Sequence, residues 1–164
     1  MKVPPAIEKK IDKVIRHYPE SPSAAALPVL HLLQHEFGYL DEKSVQYAAG
    51  KVGVDPIRIL ELVSFYPGFR QDKPGKYHIR VCRTLSCAMA GSEELMESLC
   101  KAARIDRSET SHHHPIAKSK NGKYSIEFAE CLASCGTGPV CLVNDEFHED
   151  VAPGSVKDLL AKYK

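Results

Sequence analysis

The sequence predicts an α/β domain preceded by a small helical lobe, and three observations predict it. Before residue 67, apolar residues recur at helical spacing in successive segments separated by turn residues. After Gly75 the period drops to two, with Tyr77, Ile79 and Val81 alternating with His78 and Arg80. From there the pattern reads strand, helix, strand, hairpin, helix, the order of an α/β sandwich. Pro67-Gly68 and the polar run Arg70 to Lys76 mark the boundary. The expected organisation is a helical lobe over residues 1–73 and an α/β domain over residues 74–164.

In the lobe, Ile7, Ile11, Val14, Ile15 and Tyr18 form one stripe of a helix over residues 5–18, stopped by Tyr18-Pro19. A second helix is expected from about Ser23 to Phe37, with Ala26, Leu27, Leu30, Leu33, Gln34 and Phe37 on one face and Gly38 as its stop. Pro28 inside it implies a kink or a position in the first turn. Asp41 caps a short third helix ending near Gly50. Asp55-Pro56 opens a fourth, which carries Ile57, Leu60, Val63 and Ser64 to about Tyr66.

In the second part, the strand Tyr77 to Val81 delivers Cys82 to its end. Ser92, Glu93 and Glu94 open a helix, since acids suit the positive first turn, and Leu95, Met96, Leu99, Ala102 and Ala103 give it an apolar side. A polar stretch runs from Arg104 to Lys120. Asn121-Gly122 then turns into the strand Lys123 to Ala129, which delivers Cys131. Val140 to Val143 and Phe147 to Val151 flank Asn144-Asp145-Glu146 as a hairpin. Ser155, with Asp158 three residues on, caps a last helix from Val156 to about Tyr163. The strand–helix–strand unit is expected to be parallel and right-handed, so the loops leaving its two strands come together.

Composition narrows the function. The 43% apolar and 26% charged fractions are those of a globular chain. A net charge of +1 offers no broad basic surface, which argues against nucleic acid. The apolar runs fall far short of the roughly 20 residues a membrane helix needs, so no direct membrane insertion is expected. Met1-Lys2-Val3-Pro4-Pro5 has no apolar signal core, and a cytoplasmic location is expected. Six cysteines in such a setting argue for metal or redox chemistry rather than disulfides.

Four of the six form two tight pairs, Cys82-x4-Cys87 and Cys131-x3-Cys135, each just after a short apolar run. Soft thiolates suit iron–sulfur clusters, zinc or cuprous ions, and spacing alone leaves [2Fe-2S] and a closed structural zinc site open. Gly136, Gly138 and Gly91 are expected to let the backbone bend and bring N–H groups toward sulfur. Cys100 and Cys141 read as small core residues. A thiol-redox enzyme is disfavoured by the absence of C-x-x-C. His31 and His35 stand one helical turn apart with no third ligand in view. His112-His113-His114-Pro115 reads as part of a solvated loop.

The run Cys82-x4-Cys87-x3-Gly91, with Glu130-Cys131-Leu132-x2-Cys135-Gly136-Thr137-x-Pro139-Val140 and Val143-Asn144-Asp145-Glu146, resembles the thioredoxin-like [2Fe-2S] subunit of NADH:quinone oxidoreductase. Leu27 to Gln34, Phe37-Gly38-Tyr39, Gly53-Val54 and Phe65-Tyr66 extend the resemblance through the lobe. It implies a thioredoxin-like [2Fe-2S] ferredoxin domain behind a small N-terminal helical bundle. It also implies a [2Fe-2S] cluster held by Cys82, Cys87, Cys131 and Cys135, with no catalytic residue in this chain. FMN and NADH would sit on a flavin- and NADH-binding partner subunit, with further iron–sulfur subunits beyond. The whole would lie against the cytoplasmic face of the inner membrane. Related chains serve NAD-linked hydrogenases and formate dehydrogenases, which stand as alternatives to the respiratory complex; a structural zinc module is a further one.

Overall fold

In the computed structural model, residues 1–108, 110–111 and 114–163 are described. The chain forms two compact units, Met1–Lys73 and Pro74–Lys164.

The first unit is helical: α1 (Pro5–Ile15), α2 (Ala26–Phe37), α3 (Glu42–Val52) and α4 (Pro56–Phe65). The four helices meet in a core of Ile11, Val29, Leu30, Leu33, Ala48, Val52, Ile59 and Val63; on α4 the buried face is Ile59 and Val63, and Ile57 and Leu60, expected on that face, are exposed. α1 stops at Ile15, short of the expected Tyr18, because the residue before Pro19 is barred from helical geometry. A 3-10 turn, Pro22–Ala25, leads into α2 and leaves Pro28 in the first turn, where a missing N–H breaks no helical bond. Gly38, at φ 83°, ends α2. α3 runs past Gly50 to Val52 and ends on Gly53, at φ 73°, so the left-handed glycine is the later one. Its start is as expected: the Asp41 carboxylate accepts the Ser44 N–H at 2.8 Å. The Gln34 side chain closes the unit, donating to Gly68 O and accepting the Arg70 N–H.

The second unit holds β1 (Tyr77–Cys82), α5 (Leu85–Met89), α6 (Ser92–Ala103), β2 (Ala117–Lys118), β3 (Tyr124–Ala129), β4 (Cys141–Val143), β5 (Glu146–His148) and α7 (Val156–Ala161). The sheet order is β2-β3-β1-β4-β5. β1 and β3 pair in parallel, Cys82 opposite Ala129, and the other neighbours are antiparallel. This parallel unit brings the ends of β1 and β3 side by side. α6 and α7 bury Leu95, Met96, Leu99, Val156 and Leu159 against Ile79, Val81, Ile126 and Val143 on one face of the sheet.

Several details depart from the sequence reading. α5 stands where a loop was expected, and β2 adds a short edge strand inside the polar stretch. The hairpin strands are shorter, and Asn144, at φ 55°, makes the turn. Ser155 takes the N-cap position of α7 as expected, but its hydroxyl makes no capping bond and donates instead to Ala152 O, at the 3-10 turn Pro153–Ser155. His78, read as an outward residue, is 2% exposed, its ring nitrogens 2.9 Å from Ser125 Oγ and from Glu127 Oε1. Buried polar groups require such partners. Among the described residues no helix is long and apolar enough to cross a membrane.

Candidate metal centre

Four cysteines reach the end of the sheet by different routes. Cys82 is the last residue of β1; its N–H donates to Val140 O at 3.1 Å, while the Arg83 N–H reaches Ala129 O on β3. Cys87 lies in α5, buried at 2% exposure, and Cys82 is buried at 1%. Cys131 and Cys135 lie beyond β3 on an exposed loop, Cys135 opening a 3-10 turn, Cys135–Thr137. All six cysteines of the chain are free.

Cys82, Cys87 and Val140 form one small buried cluster with Leu132 against it. Burial pushes the Cys82 thiol up. Hydrogen bonds from the Thr84 hydroxyl, from the Leu132 and Thr84 N–H groups and from Cys87 outweigh it, so Cys82 is held below the ordinary thiol value. Thr84 Oγ1 stands 3.2 Å from Cys82 Sγ. Cys87 goes the other way. Burial raises it first, then its hydrogen bond with Cys82 and the charges of Cys82 and Cys135, against a single lowering bond from the Val140 N–H. The Ala133 N–H donates to Cys131 Sγ at 3.3 Å.

Cys82 and Cys87 are therefore in contact, and Cys135 is near enough for its charge to act on Cys87. Cys131 is exposed, and its sequence neighbour Leu132 packs on the buried pair. Among the described residues, no three His, Cys, Asp or Glu side chains are grouped as a metal cage. The donor chemistry nonetheless fits a thiolate-bound cluster: four free sulfurs, with backbone N–H groups aimed at three of them. The second loop also passes tightly over the first. A Cβ on Gly138 would lie 3.4 Å from Cys87 Sγ and 3.4 Å from Ala90 Cβ.

The glycines divide the roles expected of them, and Gly136 shows neither. Gly138 serves close approach, with ordinary φ −71°, and Gly136 faces open space. The left-handed bend in the cysteine loop falls on Ala133, at φ 60°. Gly91, at φ 96°, starts α6. Thr84 is not singled out from sequence, and Val140 reads there as strand and motif rather than as a neighbour of the sulfurs. Thr84 had a signal, as a cap-type residue inside the C-x4-C spacing, but its hydroxyl faces sulfur instead of capping α5.

The remaining candidates separate cleanly. Cys141 is fully buried in the core, its thiol pushed up to about 12 by burial, and Cys100 packs half-buried against that core with its thiol also raised, mainly by burial. His31 and His35 are exposed on α2, and the His31 ring stacks on Phe69 at 4.8 Å. Phe69 belongs to the lobe core, whereas Phe65 is 76% exposed. His112 and His113 lie outside the described residues; His114 is exposed.

Fold and thiols together define a cysteine-bearing α/β domain joined to a helical lobe. The chain belongs to the thioredoxin-like [2Fe-2S] ferredoxin family, whose model matches residues 11–164. It is 36% identical over 147 residues to NADH-quinone oxidoreductase subunit 2 of Thermus thermophilus, covering 89% of this chain and 77% of that protein. It is 32% identical over 154 residues to an NADH-quinone oxidoreductase subunit of Rickettsia prowazekii, covering 93% and 82%. Its fold is also similar to a chain in the crystal structure of an air-oxidized NAD+-reducing [NiFe]-hydrogenase, with a TM-score of 0.67 at 20% identity. That match covers 85% of this chain and 22% of the hydrogenase chain.

Proposed function

We propose that this chain is an electron-transfer subunit of an NADH dehydrogenase-type complex. It carries one [2Fe-2S] cluster on Cys82, Cys87, Cys131 and Cys135, and its electrons come from FMN on an NADH-binding partner. The carrying observation is the family match across residues 11–164, joined to four free thiols at one end of the sheet. The relatives named as NADH-quinone oxidoreductase subunits supply the setting. Through its partners, among them further iron–sulfur subunits, the chain would lie at the cytoplasmic face of the membrane without inserting.

When bound, the cluster supplies one-electron storage with no bond made or broken in the polypeptide. The chain's own groups hold and tune the sulfurs. Burial of Cys82 and Cys87 excludes water from one side. The Thr84 hydroxyl and the Leu132, Ala133 and Val140 N–H groups donate to sulfur, which favours the more negative, reduced state and raises the potential. Leu85 and Met89, 76% and 82% exposed, stand on α5 on either side of Cys87. Exposed apolar side chains at such a place support docking of a partner beside the sulfurs.

The test is iron and sulfide content with electron paramagnetic resonance on anaerobically prepared protein. About two irons and two sulfides per chain, silent when oxidised and paramagnetic after dithionite, are expected for a dinuclear cluster held by four cysteines. Cys82→Ser and Cys131→Ser should lose it, and Cys100→Ser should keep it. One zinc without sulfide would overturn the reading. Equal loss in Cys100→Ser and Cys131→Ser would overturn the ligand set.

A further inference from the structure

Outside the cysteines, the loop that carries Cys135 is tied down from an unexpected direction. Glu149 follows β5, and its Oε1 accepts from Ser134 Oγ at 2.7 Å and from Thr137 Oγ1 at 2.6 Å. The two hydroxyls are themselves 2.7 Å apart. Each has a single proton; with both protons spent on the carboxylate, the close pair of hydroxyl oxygens is held by the shared acceptor. Backbone bonds continue the strap: Asp150 N–H to Thr137 O at 2.8 Å and Val151 N–H to Pro139 O at 3.0 Å. Asp150 turns through φ 49° to make them.

We propose that Glu149 is a positioning residue for Cys135: its carboxylate grips the residue before that cysteine and the residue two after it, and fixes the loop between them. The inference rests on Cys135 being a thiolate ligand. Three features of the geometry support it. Ser134 and Thr137 straddle Cys135 in sequence, so holding both leaves the intervening backbone little freedom. Among the described residues the loop has no β-ladder of its own and one internal backbone–backbone bond, Thr137 N–H to Ser134 O at 3.2 Å. Finally, an ionised carboxylate accepting two hydroxyls is stronger than any neutral substitute. The Glu149 carboxyl is accordingly held below its ordinary value by the Thr137 bond first and the Ser134 bond second. A fixed negative charge at this loop also disfavours adding an electron nearby, so Glu149 lowers the potential that the N–H groups raise.

Two variants separate grip from charge. Glu149→Ala removes both; Glu149→Gln keeps an oxygen acceptor for the two hydroxyls and removes the charge. Hydrogen exchange of the 131–140 segment is read first on the metal-free full-length chain, then iron release to a chelator and the reduction potential on the reconstituted chain. Glu149→Ala should exchange faster across residues 134–138 and release iron about threefold faster or more, as expected for loss of a charge-assisted bond. Glu149→Gln, a weaker neutral acceptor, should fall between the parent and Glu149→Ala in exchange and release, and should show a higher potential. Unchanged exchange and release in Glu149→Ala would overturn the positioning role. An unchanged potential in Glu149→Gln would overturn the role of the charge. Should the parent chain take up no iron, the electron-transfer reading fails on its own, and the exchange measurement still decides whether Glu149 holds the loop.

Discussion

Gly138→Ala separates the stability of the fold from the fitness of the metal centre. Gly138 has φ −71° and ψ 154°, a backbone that alanine adopts without strain. Loss of glycine's freedom in the unfolded chain should stabilise by about 0.4–1 kcal/mol. Against this, the new methyl would lie 3.4 Å from Cys87 Sγ and from Ala90 Cβ, contacts that ask each neighbour to give by tenths of an ångström. That is mild overpacking, at the low end of the roughly 1–3 kcal/mol such changes cost. The two effects nearly cancel, so the metal-free variant should unfold within about 1 kcal/mol of the parent. With Cys87 a ligand, as proposed above, loaded protein is different. A free Cys87 thiol can shift aside, but a sulfur bonded to metal is pinned at a fixed bond length, with its backbone held in α5. The variant should therefore retain markedly less iron and sulfide while its urea midpoint hardly moves. Full iron retention would refute the reasoning, since Cys87 would then not be pinned at this spot. A loss of more than about 2 kcal/mol in the metal-free chain would refute the packing argument instead.

Two further outcomes follow from geometry away from the sulfurs. A Cβ on Gly75 would lie 2.7 Å from the Tyr124 carbonyl carbon and 3.0 Å from both Gly122 O and Ser125 N. All three are backbone, which cannot move without disturbing β3. Gly75→Ala should thus cost about 3 kcal/mol, the top of the overpacking range, in a urea melt, and a loss under about 1 kcal/mol would count against the close packing of that backbone. His148 is held below the ordinary imidazole value of 6.5, by burial first, with Lys162 adding to it and Glu146 opposing. Its Nε2 also meets the Tyr163 hydroxyl, which donates to Glu146. A depressed histidine is neutral in the fold, so the unfolded chain takes up the proton first as pH falls. Stability from this group is full above about 6.5 and declines below it, toward the lower folded value. Unfolding free energy measured from pH 7 to 5 should fall more steeply in the parent than in His148→Gln; parallel slopes would refute this.

Much of the fold was legible because periodicity reports burial. The α1 and α2 stripes and the alternation in β1 each announced the face that the structure buries, and the parallel β1–β3 pairing followed from the strand–helix–strand order. Short elements were not legible. α5 has five residues, too few to show a period, and β2 has two. The polar layer on the other sheet face was also hidden. Its code is a buried hydrogen-bond set, His78 with Ser125 and Glu127, assembled from residues 47 and 49 positions apart. Alternation alone reads such residues as facing water.

The cysteine site shows the same division more sharply. In sequence the four thiols are equivalent, two pairs of similar spacing. In the structure they are not: Cys82 and Cys87 lie at 1% and 2% exposure, whereas Cys131 and Cys135 are exposed. The cause is the topology. β1 is the central strand of five, so whatever leaves its end is covered by α5, Val140 and the passing Gly138 backbone. The loop after β3 leaves from a strand nearer the edge and is held, among the described residues, by its own turn and by bonds from Glu149, Asp150 and Val151. Under the electron-transfer reading, the buried pair is where the protein sets the potential, through a dry environment and fixed donors. The exposed pair is where electrons and incoming iron reach the site. Loosening the backbone of the exposed loop should then appear first in the rates of loading and loss.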